Sequence, residues 1–97
     1  MPIYISLMSM TDQGVKDIKN APQRTAEAIK GLEAMGGKLI DLYFVMGEYD
    51  YVGIAEAPND EVALAFLASL GAAGNVRTTT MKAFRANEIG SILAKIP

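Results

Sequence analysis

The chain has 97 residues, no cysteine, no histidine and a formal net charge of −2. That excludes disulfides, thiolate chemistry, the commonest general base and the commonest transition-metal ligand, and leaves a phosphate backbone little to attract it. With 51% hydrophobic and 21% charged residues, the composition predicts one ordered domain, 1–97, able to bury roughly 60–70% of its unfolded surface.

In chain order, residues 2–10 alternate as a strand, with Ile3, Ile5 and Leu7 on one face and Tyr4, Ser6 and Met8 on the other. Thr11-Asp12-Gln13-Gly14 breaks it, and Val15 to Lys19 reads as a loop or a short helical turn. Asn20 is placed to cap a helix that has Pro22 in its first turn. Thr25, Ile29, Leu32 and Met35 form its apolar stripe, Arg24, Glu27, Lys30 and Glu33 its solvated face, and Gly36-Gly37 its stop. A second strand runs from Lys38 to Met46 with apolar even positions, and a third from Tyr51 to Ala57. The short polar turn Gly47-Glu48-Tyr49-Asp50 between them predicts an antiparallel hairpin.

Asn59 or Asp60 then caps a second helix, apolar nearly all round from Val62 to Leu70 and ended by Gly71 and Gly74, which needs cover on more than one side. Val76 to Phe84 is a β-branched fourth strand, and Asn87 is placed to cap a last short helix with Ile89, Ile92, Leu93 and Ile96 on one face. No basic segment precedes the first apolar run, and the longest apolar stretch, 62–74, is shorter than the about 20 residues of a membrane span. The expectation is a cytoplasmic protein.

A β-α-β-β-α-β order predicts an α+β, ferredoxin-like sandwich: a four-stranded antiparallel sheet with both helices on one face. Taking the even face of the second strand toward the helices, the open face is expected to carry Tyr43 and Val45 with Tyr4, Met8, Gly53 and Ala55. A partly apolar face calls for a cover. Another copy of the chain is the expected one, giving a homodimer or higher homo-oligomer, with the C-terminal helix as the competing cover within one chain.

The turn Gly47-x-Tyr49-Asp50 resembles the signature of the GYD-domain family of small bacterial and archaeal proteins. Thr11-Asp12-Gln13-Gly14, Pro22 with Arg24, Gly36-Gly37, Tyr43, Glu56 with Pro58, Gly74-Asn75-Val76-Arg77-Thr78 and Lys82-Ala83-Phe84 fit the family pattern in order. The resemblance spans nearly the whole chain. It implies a dimeric α+β barrel and says little about activity, because fold alone does not supply a function.

Candidate chemistry concentrates near that turn. Glu48 and Asp50 could share a proton or hold a hard cation, but an aspartate in a turn more often accepts backbone N–H groups, and the brace is favoured over catalysis. Tyr49 and Tyr51, at i and i+2, are candidate ligand platforms, which Tyr43 and Tyr4 could join, against a packing or interface role. Arg77 could bind an anionic group, against a cross-strand salt bridge. Thr78, Thr79 and Thr80 are strand formers whose hydroxyls could line a pocket, and Asp12, Lys16 and Arg24 cluster weakly near the first crossover.

The stretch 47–52 echoes the aromatic spacing of an RNA-recognition motif. Its acids stand where that motif has glycines, so nucleic acid is not an expected partner, nor is a membrane. The preferred function is a homodimeric small-molecule-binding or sensing protein with a pocket near Tyr43, Tyr49, Tyr51 and Arg77. The alternatives are a cofactor-independent enzyme, oxygenase- or isomerase-like, using Tyr49 or Asp50 as proton acceptor, and an assembly protein without ligand. No cofactor and no metal are expected.

Overall fold

Strands and helices alternate as the hydrophobic pattern predicts. A computed structural model describes all residues, Met1–Pro97. Its elements are β1 (Ile3–Met10), α1 (Asp12–Lys16), α2 (Ala21–Ala34), β2 (Lys38–Phe44), β3 (Tyr51–Glu56), α3 (Asp60–Ala73), β4 (Val76–Ala83) and α4 (Ile89–Leu93), with short 3-10 turns at 18–20 and 86–88. The four strands form one sheet in the order β2-β3-β1-β4, with every neighbouring pair antiparallel. This is the ferredoxin-like α+β arrangement. No helix is long and apolar enough to cross a membrane.

Local chemistry explains most boundaries. Asn59 accepts the Val62 N–H at 2.9 Å, and Asp60 and Glu61 complement the dipole in the first turn of α3. Gly74, at φ +86°, closes that helix, while Gly71 lies inside it. Two predicted caps are absent. The Asn20 side chain donates to Asp17 instead of capping α2, because a 3-10 turn already delivers the chain into that helix. Asn87 sits within the last 3-10 turn, where Glu88 accepts the Arg85 N–H. Thr11-Asp12-Gln13-Gly14 does not simply break the chain: Thr11 caps α1 by accepting the Gly14 N–H.

The sheet faces differ from expectation. Tyr4 pairs with Ala55, Ser6 with Gly53 and Thr80, and Met8 with Tyr51, and these rows face α2 and α3. A bulge between Leu39 and Asp41 places Leu39 and Leu42 on this same face. Residues directly opposite in an antiparallel pair share a face. Once Phe44 lies opposite Tyr51, Gly53 and Ala55 must therefore meet the helices, and so must Tyr4 and Met8. The open face instead carries Ile3, Ile5 and Leu7 of β1, Val52 and Ile54 of β3, Tyr43 of β2 and Met81 of β4. It is more apolar than predicted.

The molecule measures 52 × 31 × 19 Å, with a radius of gyration of 14.8 Å, against about 12.5 Å expected for a chain of this length. The thin dimension is one sheet plus one helix layer. In the C-terminal segment Ile89, Leu93 and Ile96 stand exposed, and α4 packs on the 3-10 turn at 86–88 rather than on the sheet. α4 therefore does not cover the open face, and the competing intrachain cover is removed. Nor is the outer side of α3 covered, since Leu64 is exposed. Only 8 of 97 residues are buried, a small core for so hydrophobic a chain.

Candidate functional site: a cleft under the two helices

α2 and α3 straddle the sheet without closing over it. Between them lies a cleft of about 350 Å³. Gly53 and Ala55 of β3 and Ala57 just after it, with Ala28 and Ala63 of the helices, bring almost no side-chain volume to the space, and Leu32, Phe66 and Leu67 wall it. Small residues on facing elements leave room that close-packed interiors otherwise fill. The volume falls at the lower end of the range for small-molecule sites.

The cleft runs along the strands, and its two ends differ. At one end Tyr4 is buried at 9% exposure and donates its O–H to Asp60, which also pairs with Lys82 at 3.1 Å. Burial first, and then the Asp60 carboxylate, push the Tyr4 phenol up to about 12. The Tyr4 hydrogen bond, helped by Lys82, lowers Asp60. This end is sealed by polar groups that satisfy one another. Midway, the Ser6 and Thr80 hydroxyls pair at 2.8 Å.

The other end is open to donors. Tyr51 is 6% exposed, with its ring held edge-on by Phe44 at a centroid distance of 4.5 Å. Burial raises its phenol, with the charge of Arg24 pulling the other way. Arg24 reaches back from α2 to donate to the Asp17 carbonyl at 2.7 Å, the Asp17 carboxylate at 3.0 Å and the Gly14 carbonyl at 3.2 Å.

Of the predicted ligand residues, Tyr51 lines the cleft and Tyr43, Tyr49 and Arg77 do not. Tyr43 is on the open face, where its O–H donates to Asp41 at 2.5 Å and is raised by that carboxylate. Tyr49 stays in the loop before β3, so the extended-chain alignment with Tyr51 does not apply. Arg77 donates to the Gly71 and Val76 carbonyls at 3.4 and 3.3 Å and forms no salt bridge. It completes the end of α3, a cation where the helix dipole favours one. Thr80 does line the cleft.

Asp50, the weak catalytic candidate with Tyr49, is engaged by backbone. It accepts the Met10 N–H at 2.7 Å, its own N–H donates to the Met8 carbonyl at 2.9 Å, and its carbonyl accepts from Val45 at 2.9 Å. The turn is thereby welded to the end of β1, and the next residue, Tyr51, is delivered to the cleft. The stripe Thr25-Ile29-Leu32 puts Arg24 on the solvated face of α2. Its long side chain crosses that boundary, as arginine stems do. Only its position two residues after Pro22, beside the crossover, hints at this. No three His, Cys, Asp or Glu side chains converge as a metal site would require.

The GYD domain family model matches residues 4–93. The chain is 32% identical over 84 residues to the glutamine synthetase and cystathionine beta-lyase binding protein of Thermus thermophilus, covering 86% of this chain and 88% of that one. Among solved structures, FFRP-DM1 superposes with a TM-score of 0.58 at 22% identity, covering 87% of this chain and 100% of that one. A hypothetical protein of Pyrococcus horikoshii does so with a TM-score of 0.55 at 22% identity, covering 91% and 95%. At that identity these structures speak for the fold alone. The family match over nearly the whole chain, with its Gly-x-Tyr-Asp turn locked to β1, makes this protein a member of the GYD-domain family.

Proposed function

We propose that the protein is a small-molecule-binding or sensing homodimer whose ligand occupies the cleft between the helices and the sheet. The observation that carries this is the cleft itself: about 350 Å³ of mostly apolar space with donor groups gathered at one end. The dimer is supported by the row of aliphatic side chains on the open sheet face, which a second copy would cover by isologous packing. The enzymatic alternative has less support, since Asp50 is committed to backbone and Tyr49 stands outside the cleft.

A thermal-shift screen of organic acids and aromatics tests the proposal. A ligand at 100 times its Kd stabilises by about 2.7 kcal/mol. Ala55→Phe, which fills the cleft, is expected to abolish any such shift while the protein stays folded. A shift that survives in Ala55→Phe would move the ligand site elsewhere.

A protein-binding role is a second reading. It is favoured by the name of the Thermus relative and by the exposed Leu64, Ile89, Leu93 and Ile96. Cross-linking of the purified chain with glutamine synthetase would test it, and a lack of cross-links at micromolar concentration would count against it.

A further inference from the structure

We infer that the cleft takes a small monocarboxylic acid with an apolar body, its carboxylate held between Arg24 and Tyr51 and its body lying over Gly53 and Ala55. This rests on reading the cleft as a ligand site and adds the class of ligand.

Tyr51 carries the argument. It is 6% exposed and lines the cleft, where Arg24 meets its phenol as a charge and as a hydrogen-bond donor. No buried side-chain polar atom of the chain lacks a partner; Arg24 donates to the phenol oxygen, and the phenol proton is left to the open space of the cleft. Arg24 stands beside it. A guanidinium has five N–H groups. Three are used on Asp17 and Gly14 and one on the Tyr51 oxygen, so one remains. Both side chains thus offer donors, and one of them brings positive charge. An acceptor head with negative charge complements that pair, and the two oxygens of a carboxylate match one N–H of Arg24 and the O–H of Tyr51.

Of the acids nearby, Asp50 acts on the Tyr51 phenol and opposes an anion there, but its carboxylate is turned to the Met10 N–H. Asp17, 54% exposed, pairs with Arg24 from the solvent side, and exposed pairs are weak. Glu27, also on the cleft wall, is exposed and takes the Gln23 amide at 3.4 Å. Glu56 is drawn to Arg85 at 3.4 Å.

The far end decides the number of heads. Tyr4, Asp60 and Lys82 satisfy one another there, and the Ser6 and Thr80 hydroxyls pair midway. No second charged group of the ligand finds an unpaired cation. Between the ends the surface is Gly53, Ala55, Ala57, Leu32, Phe66 and Leu67, which suits an aliphatic or aromatic body.

Matched probes test the assignment: phenylacetate against phenylacetamide, and hexanoate against hexanamide, titrated calorimetrically into the full chain. At least one acid is expected to bind tenfold or more tighter than its amide. Arg24→Gln is expected to erase that difference by weakening the acid and not the amide. Tyr51→Phe should weaken the acid several-fold with unchanged circular dichroism, and it keeps the test decisive should Arg24→Gln fail to fold. Acid and amide binding alike in the wild type would overturn the carboxylate assignment and leave the cleft standing as a site. Failure of all four probes, with no hit from the wider screen, would overturn both. A hit from that screen that carries no carboxylate, with all four probes silent, would overturn the class alone.

Discussion

Two side chains show how single residues set the site. Asp50 ties the hairpin turn to β1 through the Met10 N–H. Asp50→Ala leaves that donor without its charged acceptor and is expected to cost about 1–3 kcal/mol in urea unfolding. Asp50→Asn, which keeps an oxygen there, should cost less, and an Ala variant as stable as wild type would remove the brace. Tyr4 gives a pH signature. Its phenol is raised from 10.0 to about 12 in the folded chain, so the folded state holds a proton that the unfolded state has released. This contribution is fully present below pH 10 and is lost as pH rises toward about 12. Stability should fall across that window, and Tyr4→Phe should flatten the fall. An unchanged slope in the Phe variant would mean another group governs the alkaline limb.

Among the elements, α3 offers a matched pair of glycines. Gly74 holds φ +86°, with Gln13 beside the place a Cβ would take. Gly74→Ala is expected to destabilise by about 1 kcal/mol or more. Gly71 lies within the helix with open space around it, and Gly71→Ala is expected to stabilise by about 0.5–1 kcal/mol. Thermal midpoints moving in opposite directions would check both. The same helix shows why its apolar girth was misleading as a guide to burial. Phe66 and Leu67 face the cleft, whereas Leu64 points to solvent, so all-round hydrophobicity told of a demand for cover that one chain does not meet.

At the scale of the molecule the same demand recurs. A 97-residue chain that is half hydrophobic buries only 8 residues, and its open sheet face carries Ile3, Ile5, Leu7, Val52 and Ile54. Contiguous apolar surface of this kind marks an interface. Light scattering is expected to return twice the protomer mass at micromolar concentration. Ile54→Asp, which places a charge at the centre of that face, should shift the protein to monomer or to aggregate. A wild-type monomer would sink the dimer.

The sequence by itself determined the element order, the four-stranded antiparallel sheet and the family, because alternation, helical spacing and turn residues are local signals that need no knowledge of neighbours. It also marked Tyr51 and Thr80 as candidates for a pocket. What only the tertiary structure decided was which face of the sheet meets the helices, since strand parity says which residues share a face and not what covers it. It decided the bulge at Leu39/Asp41 as well, and the separation of Tyr43 and Arg77 from Tyr51. The meeting of Arg24 with Tyr51 likewise lay beyond the sequence: it joins residues 27 apart, and a flexible arginine stem carries a charge from a helix's solvent side to a cleft that exists only once the helices have packed.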